Sequence, residues 1–333
     1  MSTVMAPSRT PGPGLLEACG WTLLYVVAQA VAGALCVLVL LLAAYEGWPP
    51  DGQTALNLLL DLNLDSNFML IGVTQLGTLF LIVPAVRWRL GAPLREKLQL
   101  GRPERRTLLP AIGAVAPLAV LSRALYELAH DQWQRLVQDI PALEPLTRAN
   151  SLESIASQTA AAPFFVLVVA LALGPALGEE IVFRGLIGPG LLRRWGVPVG
   201  VLLTSVLFAG VHGFPPHAVA TLPLAFFLHY AFLRTGSLWS PILLHFLNNA
   251  LAVAMLKYPL LARLPDSPAV VAAAALYVVA AGVLLGPRRE RAATATSPLP
   301  GASLVLHSRW FEAFAGSSIA GFTTTFVWSV VAN

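Results

Sequence analysis

The sequence predicts an all-α, polytopic membrane protein with about eight transmembrane helices and a polar site buried in the helix bundle. Of the 333 residues, 56% are hydrophobic and only 11% are charged, whereas a soluble domain carries about 25% charged residues. The mean hydropathy of +0.72 agrees with this class. Apolar runs close to the roughly 20 residues that a spanning helix requires recur along the chain.

Eight apolar segments are candidate spans: 21–44, 67–86, 108–128, 163–192, 198–217, 219–234, 238–256 and 269–285. The first is too long for the core of a signal peptide, so we predict that it is retained. The third contains Arg123 and Glu127, whose i,i+4 spacing allows them to pair. The sixth is short and interrupted by proline.

The segments divide the chain into three parts. Residues 1–106 hold the N-terminal transmembrane helices and a cytoplasmic loop, and residues 107–291 hold the helical core. Residues 292–333 form a linker and an apolar C-terminal tail, which is either an interfacial helix or a ninth partial span.

Lys and Arg counts predict the orientation of the helices. Segment 87–106 contains seven Lys or Arg residues, and segment 46–66 contains none. Loops rich in Lys and Arg alternate with loops that are poor in them, so the positive-inside rule places both termini in the cytoplasm. We predict that the protein lies in the plasma or inner membrane of the cell. Topology therefore explains the net charge of +4. The chain has no basic face with interleaved aromatic residues, so we predict no nucleic-acid partner. The expected partner is the lipid bilayer.

The stretch GEEIVFRG, residues 178–185, places charges inside the fourth apolar segment. Ionisable groups at that depth are costly and are functional candidates by default. Glu180 and Arg184 have the favoured i,i+4 order for a pair. Glu179 lies about 100° further round the helix and can point into the bundle as a general base. A structural ion-pair cluster is the alternative. Gly174 and Pro175 predict a bend just before these residues.

Two later segments add polar pairs at helical spacing. Phe208 and His212 are i,i+4, and so are His245 and Asn249. Together with Glu179, the two histidines match the two-His, one-carboxylate set of a catalytic zinc site. The same groups could instead activate water without metal, with His and Asn donating hydrogen bonds to an oxyanion.

Other polar residues are weaker candidates. His217 lies at the outer end of the fifth segment, and His229 is predicted to make a hydrogen bond between helices. Asn248, three residues after His245, could geometrically replace Asn249. Two histidines are predicted to lie in loops or at the surface: His130 and His307.

The three motifs together resemble those of the CPBP intramembrane protease family, which includes the CAAX-processing prenyl endopeptidases and relatives tied to bacteriocin immunity. They are EExxxR at 179–184, FxxxH at 208–212 and HxxxN at 245–249. Each motif alone is weak, but all three in this order on separate apolar segments are specific. The resemblance covers about residues 95–256.

The resemblance implies a set of site residues: Glu179, Glu180, Arg184, His212, His245 and Asn249. Glu179 would activate the attacking water with His212, and His245 with Asn249 would stabilise the oxyanion. The Glu–Arg pair would hold the others in place. Zinc is a possible cofactor on Glu179, His212 and His245, and a metal-free glutamate mechanism competes with it. The chain lacks the HExxH zinc signature, so the sequence does not separate the two.

The leading hypothesis is an endopeptidase that hydrolyses a peptide bond of a membrane-associated protein or peptide, with CAAX-type sequences among the candidate substrates. A non-catalytic scaffold or immunity protein of the same fold is the alternative. A transporter that uses the buried charges as a relay is a third hypothesis. It is disfavoured because only the fourth segment looks like a broken helix.

Overall fold

A computed structural model describes residues 12–45, 47–49, 51–54, 57, 68–148, 162–262 and 267–285. Within these ranges every regular element is a helix, so the all-α prediction is confirmed. The predicted linker and tail at 292–333 lie outside the described residues, as does His307.

Nine helical elements form the frame of the described chain. They are α1 (Leu15–Ala44), α2 (Phe68–Leu90), α3 (Arg105–Gly113), α4 (Val115–Asp139), α5 (164–195), α6 (197–210), α7 (Pro215–Thr235), α8 (Trp239–Lys257) and α9 (Pro268–Leu284). Short helical turns accompany them at Leu94–Lys97, Pro141–Leu143, Glu144–Arg148 and Pro259–Ala262.

The chain is a multi-pass membrane protein by the length and composition of its helices. Six helical runs are long and apolar enough to cross a bilayer: Leu15–Ala44, Leu70–Leu90, Arg105–Asp139, Phe164–Gly210, Pro215–Thr235 and Trp239–Lys257. Helix α9 is apolar but has only 17 residues. Large apolar side chains point outward, including Leu16, Leu23 and Phe80, as expected where lipid replaces water. The count of eight spans, the choice of membrane and the orientation of the termini stay predictions.

Helix α5 departs twice from α-helical hydrogen bonding. Its α-helical stretch Gly174–Glu180 is flanked by π-helical stretches at Val169–Leu173 and Ile181–Ile187. Where the sequence predicted a bend at Gly174 and Pro175, the structure has the first of these wider turns. A proline has no N–H to continue the helical ladder, so the preceding turn must rearrange. Short π-helical insertions of this kind often mark functional sites.

Helix α6 is bounded on each side by a turn that contains a glycine with a positive φ angle. Gly196 has a φ of 75°, in the left-handed region that favours glycine, and it separates α5 from α6. Helix α6 then ends at Gly210, although the sequence predicted a span to residue 217. Gly213 has a φ of 71°, and α7 starts at Pro215. The prediction was wrong there because a left-handed glycine and two prolines end the apolar run as a turn.

Buried residues form two main clusters. The site-side cluster joins α1, α2, α5 and α6 to one side of α7 and to the start of α8, with Tyr25, Phe183 and Phe208 among its large members. The apolar cluster joins α3, α4 and α9 to the other side of α7 and to α8, with Leu118 and Leu228 fully buried. Helices α7 and α8 therefore pack against both clusters. The buried charged side chains of α5 lie at the site-side cluster, and the second cluster is built from apolar residues.

Candidate active site

Glu180 and Arg184 form an ion pair inside α5, as their i,i+4 spacing predicted. Both side chains are completely buried, and Arg184 Nη1 donates to Glu180 Oε1 over 2.8 Å. The other guanidinium nitrogen, Nη2, donates to the carbonyl of Ala225 on α7 over 3.0 Å. A buried pair is stable only when its geometry is good and further hydrogen bonds compensate the lost solvation. The pair therefore fixes α5 against α7.

The ring of Phe208 covers the guanidinium group from α6. Arg184 Cζ lies 4.1 Å from the centre of that ring, which gives a cation–π contact. The same ring packs edge-on against Phe183 at 5.3 Å and against His245 at 5.5 Å. Phe208 thus separates the charged groups from the surrounding apolar core.

His245 reaches the pair from α8. Its Nδ1 lies 2.8 Å from Glu180 Oε1, the same oxygen that accepts from Arg184. Because a carboxylate oxygen accepts, Nδ1 carries the proton and the ring orientation is fixed. The opposite nitrogen, Nε2, then points towards Glu179, whose Oε2 is 3.9 Å away. Glu180 therefore positions the imidazole as well as the guanidinium.

Glu179 is the carboxylate left available for chemistry. Its side chain is one-tenth exposed, and among the described residues its Oε2 atom has no hydrogen-bond partner. It sits one residue before the paired Glu180, so the helix turns it away from Arg184. A buried carboxylate oxygen with no partner beside an imidazole nitrogen is the arrangement expected of a base that binds water.

His212 lies in the turn after α6, not on the helix that the sequence predicted. Its Nδ1 is 3.2 Å from the carbonyl of Phe208. That carbonyl can only accept, so Nδ1 is the protonated nitrogen and Nε2 presents a lone pair. The ring also contacts His217, in the first turn of α7, at 4.8 Å between centroids. His212 is thus held beside Phe208, at the edge of the site.

Asn249 is positioned on α8 one turn after His245. Its Nδ2 donates to the carbonyl of Leu171 over 3.4 Å, and its Oδ1 accepts from Asn248 over 3.3 Å. Leu171 is four residues before Pro175, so its carbonyl lacks the usual α-helical donor. Asn249 supplies a donor there and keeps its second amide hydrogen for another acceptor.

The residues brought together are Glu179, Glu180, Arg184, Phe208 and His245, whereas His212 and Asn249 stand at the margin. Among the residues that the structure describes, no three His, Cys, Asp or Glu side chains are close enough to hold a metal ion. Glu179 and His245 offer two ligand atoms, and His212 does not join them. The arrangement therefore does not fit the predicted three-ligand zinc site as it stands.

Two other histidines differ from their predictions. His229 was expected to make a hydrogen bond between helices, but it is fully buried on α7 and neither ring nitrogen has a partner among the described residues. His130 was expected in a loop or at the surface, and it lies half-buried within α4. There it stacks on Tyr126 and meets Phe214 edge-on.

One residue near the site was not found from the sequence. Tyr25 is fully buried on α1 and packs edge-on against Phe183, with ring centroids 6.3 Å apart. The signal available was weak: a tyrosine and Gln29 are spaced i,i+4 within an otherwise apolar segment.

Fold and site define a class: a multi-pass helical membrane protein with a hydrogen-bonded cluster of carboxylates, guanidinium and imidazole sealed in its bundle. Residues 161–251, which contain this cluster, match the family described as type II CAAX prenyl endopeptidase Rce1-like. A curated protein of Bacillus subtilis (strain 168), "Putative membrane peptidase YdiL", is 29% identical over 111 residues. The matched region is 33% of this chain and 45% of that protein.

The matched segment is therefore similar to the CPBP family, which includes the CAAX endopeptidases. The chain covers less than half of the length of its curated relative. No solved structure matches it significantly. Helices α1 to α4 and α9 lie outside the segment that the family defines.

Proposed function

We propose that the protein is a membrane-embedded endopeptidase that hydrolyses a peptide bond in a membrane-associated substrate by carboxylate-activated water. The observation that carries this proposal is Glu179 Oε2, a buried carboxylate oxygen with no hydrogen-bond partner among the described residues, which lies 3.9 Å from Nε2 of the oriented His245 ring. The family match supports a protease. It also supports a prenylated CAAX-type sequence as the first substrate to test.

Glu179 would act as the general base. It accepts a proton from water while the water oxygen bonds to the scissile carbonyl carbon. It then returns that proton to the leaving nitrogen as the C–N bond breaks. The lone pair on His212 Nε2 could hold the same water. Each proton is accounted for within the site, and no metal takes part in these steps.

Glu180, His245 and Arg184 would stabilise the charge that develops on the carbonyl oxygen. When the His245 ring carries a proton on both nitrogens before the reaction begins, Glu180 at Nδ1 balances its charge and Nε2–H can donate to the oxyanion without being transferred. The second amide hydrogen of Asn249 is the other candidate donor. The role of Arg184 is to hold Glu180, because the guanidinium is buried behind Phe208.

The test is cleavage of a quenched fluorescent peptide by the protein in proteoliposomes. The peptide ends in a CAAX sequence with a farnesylated cysteine, and its unprenylated form is the comparison. We expect Glu179→Gln to lower turnover by about 10²–10⁴, the usual contribution of a general base. Glu127→Gln is the control, since this exposed acid pairs with Arg123 on α4 and is far from the cluster in sequence.

Full turnover by Glu179→Gln would refute the general-base role. Failure of wild-type protein to cleave either peptide would remove the CAAX assignment. If a cellular phenotype then survived alanine at both Glu179 and His212, a scaffold would replace the enzyme. Substrate flux into the same liposomes would instead favour a transporter.

Zinc binding by Glu179, His212 and His245 stays a separate prediction. Elemental mass spectrometry of the purified protein tests it, with His212→Ala/His245→Ala as the comparison. Near-stoichiometric zinc in wild type that disappears in the double variant would mean that these helices converge further than the described geometry shows.

A further inference from the structure

Tyr25 places a hydroxyl group of α1 beside the candidate catalytic carboxylates. The side chain is completely buried in the site-side cluster, where its ring meets Phe183 edge-on. Glu179 and Glu180 directly follow Gly178, the residue of α5 that the hydroxyl group approaches. A tyrosine buried this deeply normally keeps a hydrogen-bond partner for its hydroxyl.

Gly178 allows this close approach. A Cβ atom at residue 178 would lie 2.9 Å from the Tyr25 hydroxyl oxygen and 3.3 Å from its ring carbon Cε2. The hydroxyl therefore rests against the backbone of the residue directly before Glu179. Any side chain at 178 would push the tyrosine away, so the glycine and the tyrosine fit each other as a pair.

The Tyr25 hydroxyl can donate a hydrogen bond and the Glu179 carboxylate can accept one. Within the described part of the chain, neither the Tyr25 hydroxyl nor Glu179 Oε2 makes a hydrogen bond of good geometry, although Gln29 lies within reach of the hydroxyl. A buried polar atom without a partner costs about 1–3 kcal/mol. Buried polar sites of this kind commonly hold ordered water.

We propose that Tyr25 is a further catalytic residue that holds the water activated by Glu179. The phenolic O–H donates to one lone pair of the water, and Glu179 Oε2 accepts one O–H of the same water, which leaves the other O–H for His212 Nε2. The remaining lone pair of the water then faces the scissile carbonyl. Only the proton held by Glu179 is transferred, first to the carboxylate and then to the leaving nitrogen. Tyr25 keeps its own proton throughout.

This inference rests on the proposed function and extends it beyond the family segment. Tyr25 lies on α1, outside residues 161–251 that match the family. The N-terminal helix would thus complete the active site and not only anchor the chain.

Tyr25→Phe is the decisive variant because it removes the hydroxyl and keeps the ring against Phe183. With the farnesylated peptide in proteoliposomes, we expect kcat to fall about tenfold or more, as one hydrogen bond to the reacting water is lost. KM and the melting temperature should change little. Tyr230→Phe is the control, since that hydroxyl donates to the Gly282 carbonyl over 2.9 Å in another part of the bundle. An unchanged kcat in Tyr25→Phe would overturn the inference.

Infrared spectroscopy separates a failure of this inference from a failure of the proposed function. The C=O stretch of the Glu179 carboxyl, observed after it is protonated by lowering the pH, is identified as the band lost in Glu179→Gln. If wild type cleaves no peptide, the frequency of this band still tests the link between Tyr25 and Glu179. A shift to higher frequency in Tyr25→Phe, absent in Tyr230→Phe, supports a hydrogen-bonded link between Tyr25 and Glu179. An unmoved band refutes it.

Discussion

The site-side cluster and the apolar cluster share α7 and α8 but are stabilised differently. The first encloses two carboxylates, a guanidinium and an imidazole. The second is built from aliphatic and aromatic residues such as Leu118, Phe227 and Leu228. In a bilayer, close packing can hold the apolar cluster together. Glu180, Arg184 and His245 are instead held by hydrogen bonds to one another.

The consequence is a difference in how each cluster fails. Removing one charge from the first leaves its partner buried and uncompensated. Removing one apolar side chain from the second leaves a cavity whose cost depends on how well the neighbours relax. Substitutions matched in size therefore distinguish stabilisation by pairing from stabilisation by packing.

The largest effect is expected for Arg184→Met. This change leaves Glu180 with only His245 as partner, and a broken buried pair costs about 3–5 kcal/mol. Denaturant unfolding in detergent micelles measures it. Adding Glu180→Gln should recover at least half of the loss, because no unpaired charge then remains. Equal stability of the single and double variants would show that packing, not pairing, sets the cost.

Leu118→Ala should produce the next largest effect. Leu118 is 1% exposed within the apolar cluster. We expect a loss of about 2 kcal/mol, the lower end of the range for this substitution, since lipid and not water is the alternative surrounding. Turnover per folded molecule should stay at the wild-type level. A large fall in turnover would show that the two clusters are coupled through α7.

Gly178→Ala tests the contact between α1 and α5. The new Cβ meets the end of the Tyr25 side chain, which can move, so the stability cost should be only about 1 kcal/mol. The displaced hydroxyl should nevertheless lower turnover as Tyr25→Phe does. Gly20→Ala is the matched control, because a Cβ at this glycine of α1 has nothing within 4 Å. It should leave activity unchanged and slightly stabilise the helix.

The smallest effect is expected for Tyr230→Phe. It removes one hydrogen bond between α7 and the Gly282 carbonyl on α9. Hydrogen bonds between membrane helices average about 0.6 kcal/mol. Thermal unfolding in micelles should therefore move only slightly. A loss above that of Leu118→Ala would show that this region also depends on a specific polar contact.

Much of this arrangement was predictable from local spacing. The i,i+4 rule pairs Glu180 with Arg184 correctly, and apolar runs locate every described spanning helix. The same rule cannot show that His245 shares the oxygen that Arg184 uses, because that contact joins residues 65 positions apart. Such contacts depend on how α5 and α8 pack, and spacing along one helix carries no information about that.

Details of the backbone could not be predicted from the sequence for a different reason. The turn at 211–214 interrupts an apolar run, so hydropathy continued the fifth span through His212 to residue 217. The π-helical stretches beside Glu179 have no compositional signature. Tyr25 was missed because a tyrosine in a lipid-facing helix is ordinarily an interfacial or packing residue.

Glu180 Oε1, shared by Arg184 and His245, also bears on how related sequences are interpreted. A descendant that stopped cutting peptides would still unfold without Glu180 and Arg184, so both would persist after the activity had gone. Glu179 does not stabilise the fold in this way, so substitutions there would accumulate once the activity had been lost. Among related sequences, the residue aligned with Glu179 should therefore distinguish active enzymes from inactive ones. The residue aligned with Glu180 should indicate only that the fold is intact.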